Sequence, residues 1–231
     1  MTAALIEARA LAKSFGPTPV LRGVNLEVGA GCGVTIAGAN GAGKSTLIRL
    51  LAGLCAPTSG AAMVFGAPAG SMAPAMRQRL GLLTHQSFLY PNLTARENLE
   101  FYATIYGLKN RRSLAGKWLE RVGLAGSAEA RVRGFSRGME QRLALARVMV
   151  ARPDVLLLDE PLSALDSDGA SMALGLIREA MARGAAVLVS AHLAGAMEAL
   201  SFEVFSLVRG RLRCNDASAA PQTAPRPAAV G

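Results

Sequence analysis

Two hydrophobic periodicities alternate along the chain. Leu5-Ile6-Glu7-Ala8-Arg9 and Val24-Asn25-Leu26-Glu27-Val28 place apolar residues at about every second position, the period of a strand with one buried face. Both are predicted as half-buried, antiparallel strands. Gly29-Ala30-Gly31 marks a turn, and Val34-Thr35-Ile36-Ala37 is a short buried strand that runs into a glycine-rich loop. A helix is predicted over residues 46–53, a turn over 57–60, and strands over 62–65 and 80–84.

From Ser87 the period lengthens. Apolar residues recur at helical spacing over residues 94–106, 113–122 and 137–151, so residues 87–151 read as a helical insertion. Thr94, with Glu97 three residues on, is a capping box for the first of these helices. The α/β pattern resumes at Val155-Leu156-Leu157-Leu158, an unbroken apolar run expected of a central parallel strand. A helix over 169–183, a strand over 186–190 and a hairpin over 204–213 complete the ordered part. The expected domain covers residues 1–214, with a core of 1–86 and 152–214, and the Ala- and Pro-rich stretch from Asn215 to Gly231 is predicted to be a disordered tail.

A length of 231 residues suits one large domain or a core carrying an insertion. With 51% apolar and 18% charged residues, the composition is that of a soluble, helix-rich α/β protein. No apolar run approaches the roughly 18 residues of a spanning helix, and the first residues lack a signal-peptide core, so a cytosolic chain is expected. Cys32, Cys55 and Cys214 have neither disulfide-framework nor zinc spacing and are expected as reduced thiols. The net charge of +9 allows nucleic acid, an anionic membrane surface or a solvated basic face. Its arginines are scattered, without interleaved aromatics, so no nucleic-acid partner is expected.

Gly38-Ala39-Asn40-Gly41-Ala42-Gly43-Lys44-Ser45 fits the phosphate-binding pattern GxxxxGK[ST] between a predicted strand and the helix that begins near Thr46. Glycines let backbone N–H groups turn inward around phosphates, and the helix presents its positive end to them. Lys44 adds a charge near the β- and γ-phosphates, and the Ser45 hydroxyl is suited to Mg²⁺. Asp159 and Glu160 end the buried strand, where open α/β sheets bind ligands. Asp159 suits Mg²⁺ through water, and Glu160 suits polarisation of an attacking water.

With these motifs the chain resembles the ATP-binding cassette (ABC) family over about residues 5–213. Gln86, Phe135-Ser136-Arg137-Gly138-Met139, Ser163-Ala164-Leu165-Asp166 and His192 follow the glycine loop (Walker A) in the order of that family's Q-loop, signature, D-loop and switch histidine, with Walker B at residues 155–160. The resemblance implies a P-loop NTPase core with a mostly parallel central sheet, an N-terminal antiparallel β subdomain and an inserted α-helical subdomain. It implies ATP and Mg²⁺ as ligands. Gln86 would sense Mg²⁺ and water, His192 would contact the γ-phosphate, and Phe15 lies where an aromatic stacks on adenine. Ser136 and Gly138 would cap the ATP held by a second cassette paired head to tail, expected to be another copy of this chain. The signature departs from the usual Leu-Ser-Gly-Gly-Gln at its first, third and fifth positions; Arg137 either extends into solvent or adds charge beside the γ-phosphate. His85, beside Gln86, reads as structural or surface.

Without a membrane span, a transporting cassette needs separate membrane subunits, and the resemblance implies a peripheral position on the cytoplasmic face of the inner membrane. Leu83-Thr84-His85-Gln86-Ser87-Phe88-Leu89-Tyr90 and the segment from Leu93 to Gly107 are similar to the haem exporter ATPases of cytochrome c maturation. Exporters of drugs, polysaccharides or lipids share much of this pattern. A soluble cassette ATPase of DNA repair or translation is the reading from another class, though no long coiled-coil insertion or second cassette is visible.

Overall fold

A hairpin of two long strands, β1 (Ala4–Phe15) and β2 (Thr18–Gly29), begins the fold seen in the computed structural model, which describes residues 4–191, 200 and 202–214. His192 and the stretch from Asn215 lie outside the described residues. After the hairpin come β3 (Gly33–Ala37), α1 (Lys44–Leu51), β4 (Ser59–Val64), β5 (Ala67–Pro68), α2 (Pro74–Arg77) and β6 (Leu80–Leu83). Three helices follow, α3 (Ala95–Ile105), α4 (Arg111–Arg121) and α5 (Arg137–Met149). The order ends with β7 (Val155–Asp159), α6 (Ser167–Ala182), β8 (Ala186–Ala191), β9 (Glu203–Val208) and β10 (Arg211–Cys214).

The strands form two sheets. An antiparallel sheet has the order β2-β1-β4-β5, and a six-stranded sheet has the order β10-β9-β3-β8-β7-β6. In the larger sheet every neighbouring pair is parallel except the β9–β10 hairpin at its edge. The expected architecture, a mostly parallel central sheet with an N-terminal antiparallel sheet and inserted helices, is present.

Strands β7 and β8 of the larger sheet are buried on both faces, and their sequence shows why. Side chains alternate across a strand, so Val155 and Leu157 of β7 face the antiparallel sheet and α1, while Leu156 and Leu158 face α5 and α6. Strand β8 repeats this split with Ala186 and Leu188 on one side and Val187 and Val189 on the other. Every one of these residues is fully buried, which is the reason for unbroken apolar runs rather than alternation in these strands.

The parallel arrangement gathers one end of the sheet. The loop after β3 carries residues 38–43, the segment after β6 carries His85 and Gln86, β7 ends on Asp159 and Glu160, and β8 ends at Ala191 just before His192. Carboxyl ends of parallel strands are where such sheets bind ligands.

Candidate functional site

The glycine loop turns directly into α1. Gly41 and Gly43 take the left-handed conformation, with φ of 77° and 108°, and Gly43 is the residue from which the helix starts. A side chain at Gly43 would be strained there and would also press on Val20 Cγ1, 3.1 Å from an added Cβ. A side chain at Gly38 would meet the Leu207 carbonyl at 2.8 Å. The loop therefore lies between β2 and β9, with its amides at the head of α1, a place that favours negative charge.

Lys44 is nearly buried, at 5% exposure. Its Nζ donates to the Gly38 carbonyl at 2.7 Å and the Ala39 carbonyl at 3.3 Å, and stands 3.9 Å from Glu160 Oε1. A buried ammonium is costly unless paired, and here loop carbonyls and a carboxylate hold it. Residues Asn40, Gly41, Ala42, Gly43, Lys44, Ser45 and Thr46 line a cleft of about 570 Å³ with Val20, His85 and Glu160. Val20 was not foreseen. Phe15, by contrast, does not line this cleft; its ring is exposed at the end of β1, with Lys13 Nζ 5.0 Å from the ring centroid.

A second cleft, of about 750 Å³, adjoins the first through His85 and Glu160. Thr84, Gln86, Phe88, Asp159, Ser163 and Ala164 line it, together with Arg137, Glu140 and Gln141 of α5. Asp159 is 3% exposed, and Ser190 Oγ donates to its Oδ1 at 2.5 Å. The amide of Glu160 is held by the Ser190 carbonyl at 3.2 Å and the Ser190 hydroxyl at 3.1 Å. Of the eight non-glycine residues with positive φ among the described residues, three line this cleft: Phe88, Glu160 and Ala164, at 54°, 51° and 61°. Backbone held in the left-handed region by non-glycine residues costs energy and gathers at functional sites.

Ser136 caps α5, accepting from the Met139 amide at 3.3 Å. With Gly138, Arg137, Met139, Ala164 and Asp166 it lines a third hollow, of about 490 Å³. That hollow shares no residue with the cleft at the glycine loop. Arg137 is exposed. An added Cβ at Gly138 would stand 2.9 Å from the Ala164 carbonyl, so glycine permits the close approach of α5 to this turn.

Helix α5 ties the pieces together. Ser87 Oγ donates to Glu140 Oε1 at 3.3 Å, Gln141 Nε2 to the Pro161 carbonyl at 2.9 Å, Arg142 Nη2 to Asp166 Oδ1 at 2.6 Å, and Arg147 Nη2 to the Leu82 carbonyl at 2.7 Å. Asp166 also caps α6, accepting from the Gly169 amide. That amide first, and Arg142 second, hold its carboxyl below the usual range. Arg147 is buried beneath the rings of Phe88 and Tyr102, and desolvation lowers its pKa. Burial raises the Tyr102 phenol, whose hydroxyl donates to the Phe88 carbonyl. Sequence reasoning missed Asn98. Fully buried, it accepts from the Tyr90 amide at 2.8 Å and donates to the carbonyls of Tyr90 and Thr94 at 3.1 and 2.9 Å, fastening the segment after Gln86 to α3.

For Mg²⁺, the donor set fits a hard cation that takes few protein ligands. The Ser45 hydroxyl at the head of α1, the nearly buried Asp159 carboxylate and the exposed Gln86 amide all lie at the clefts. Among the described residues no group of three or more His, Cys, Asp or Glu forms a separate metal centre.

Residues 21–163 match the family described as ABC transporter. The chain belongs to that family. Its relatives include the Nod factor export ATP-binding protein I of Burkholderia orbicola (strain AU 1054), 35% identical over 213 residues, which are 91% of this chain and 70% of that protein. The cytochrome c biogenesis ATP-binding export protein CcmA of Sodalis glossinidius is 39% identical over 170 residues, covering 74% of this chain and 80% of that protein. Among solved structures, the ATP-binding subunit of an ABC transporter superposes with a TM-score of 0.82 at 29% identity, covering 90% of this chain and 88% of that one. A dimeric ATP-binding cassette in a post-hydrolysis state, bound to ADP and Pi, gives 0.80 at 27% identity, covering 90% and 96%. The chain is thus an ABC ATPase by sequence and by fold, and no helix of its described residues is long and apolar enough to cross a membrane.

Proposed function

We propose that this chain is the ATP-hydrolysing subunit of an ABC exporter, and that it works as one half of a head-to-tail pair. The observation that carries the reading is the separation of two candidate half-sites. The phosphate cleft at residues 40–46 and the Ser136–Gly138 hollow share no residue, as expected if each completes the site of a second cassette. The similar cassette bound to ADP and Pi is a dimer.

In this reading the triphosphate of ATP enters the cleft at the head of α1, and Lys44 exchanges the Gly38 and Ala39 carbonyls for phosphate oxygens. Phe15 receives the adenine, although its ring lies outside the cleft in this structure. Ser45, Asp159 and Gln86 would hold Mg²⁺, which supplies charge neutralisation at the β- and γ-phosphates. Glu160 orients a water whose oxygen attacks the γ-phosphorus as the bond to the β–γ bridging oxygen breaks, giving ADP and phosphate. Its amide, fixed by Ser190, keeps that carboxylate beside Lys44. His192 is assigned to the γ-phosphate by its place directly after β8. Ser136 and the amides near Gly138 approach the same phosphate from the partner cassette.

Residues 87–151 act as a helical insertion in the core of 1–86 and 152–214. Its exposed Phe88, Tyr90, Phe101 and Ile105 offer an apolar face to separate membrane subunits, which would hold the chain at the cytoplasmic face of the inner membrane. For the cargo we favour haem, in cytochrome c biogenesis, on the similarity of residues 83–107 and on the relative of that function, of which the chain spans 80%. The second reading is an exporter of the Nod factor type, supported by relatives matched over 91% of this chain.

Glu160→Gln is the direct test. The variant is expected to bind ATP, to hydrolyse it at least about a hundredfold more slowly, and to elute as a dimer in ATP and a monomer without it by light scattering. A variant that stays monomeric while saturated with ATP overturns the head-to-tail reading. For cargo, restoration of holocytochrome c in cells lacking their own haem-export ATPase supports haem, provided the cognate membrane subunits are co-expressed. Failure with those subunits present turns the assignment to the second reading.

A further inference from the structure

His85 is one of two histidines in the chain, and no motif assigns it a task. Strands β6 and β7 are parallel neighbours, with Leu83 beside Leu158. Two residues beyond that pair, His85 stands level with the acidic end of β7. Its Nε2 faces Asp159 Oδ2 at 3.8 Å. The other oxygen, Oδ1, is already taken by Ser190. His85 is also shared by the glycine-loop cleft and the Gln86 cleft, and its side chain is 62% exposed while that of Asp159 is 2% exposed.

From this geometry we infer that His85 is a positioning residue for the metal side of the nucleotide site: it holds the water shell between Asp159 Oδ2 and Mg²⁺·ATP. The inference rests on the reading of Asp159 as the carboxylate that serves Mg²⁺. The separation is too long for a direct hydrogen bond. It is short enough for one water to touch both atoms. An imidazole nitrogen can donate to or accept from such a water, and partners one shell out from a metal orient the groups that hold it. With Ser190 fixing one oxygen from within and His85 facing the other from the cleft, the carboxylate is constrained from both sides.

The test uses the full chain in a Glu160→Gln background, so that turnover does not disturb the readout. Binding of a fluorescent ATP analogue is titrated against Mg²⁺, with Mn²⁺ paramagnetic resonance as an independent measure of metal binding. His85→Ala is expected to raise the metal concentration for half-saturation about tenfold, to weaken nucleotide binding far less without metal than with it, and to keep the thermal transition of the parent. His85→Gln, which places a nitrogen at similar reach, is expected to recover much of the loss. An unchanged metal requirement in His85→Ala overturns the inference, as does an equal loss with and without metal, which marks a general structural role. Asp159→Asn separates the two readings. If it shifts the metal requirement and His85→Ala does not, only the inference about His85 falls; if Asp159→Asn shifts nothing, the premise falls and takes the inference with it.

Discussion

Lys44, Asp159 and Glu160 show how much of a site depends on single atoms. Lys44 is held in a nearly dry place by two carbonyls and a carboxylate, and Asp159 by one hydroxyl, since burying such groups is costly without partners. Asp166 is the exposed counterpart. Its carboxylate serves the Gly169 amide and Arg142 together, and both favour the ionised form. A carboxyl depressed on folding adds stability above its unfolded pKa of about 3.9 and loses it as pH falls through the lower folded value. Asp166→Asn keeps an N-cap but gives up that ionisation. It is expected to unfold at lower urea than the parent near about pH 7, with the gap closing towards about pH 3. A gap independent of pH would show that charge at this cap is irrelevant.

Elements were legible where local pattern and final contacts agree. The order of strand, glycine loop and helix over residues 33–51 could be read directly, as could β7 and the Thr94 and Glu97 capping box, though α1 begins and ends two residues before the expected 46–53. The hairpin was legible only in part. Residues 5–9 and 24–28 showed alternation, yet β1 and β2 each run for 12 residues. Register shifts near Ala8, Leu11 and Lys13, with positive φ at Ala10 and Gly23, break the period in the remainder. Strand β5 and helix α2 are too short, at 2 and 4 residues, to show any period. His85 and Val20 join the site through pairing and packing between distant segments, which no local pattern carries. Asn98 belongs to the same class. Asn98→Ala would strand the amide of Tyr90, whose carbonyl keeps the Leu93 amide, a cost of about 1–3 kcal/mol, and amide exchange over residues 90–94 should quicken while that of β7 and β8 does not.

At the scale of the molecule, the two-sided burial of β7 and β8 fixes the centre of the larger sheet, and the shared direction of its parallel strands collects the loops of the candidate site at one end. Helix α5 starts at the Ser136 hollow and reaches back to β6 through Arg147. The Ser136 hollow and the sheet that bears Asp159 are therefore parts of one packed body. The disjoint linings of the Ser136 hollow and the glycine-loop cleft also have a genetic consequence. If cassettes pair head to tail as proposed, a Lys44→Ala chain retains a sound cap, and a chain altered at Ser136 and Gly138 retains a sound cradle. Each alone should be inert. Mixed in equal amounts, they should regain ATPase activity through hybrid pairs in which one good cradle meets one good cap, a complementation between dead alleles that a self-contained site cannot give.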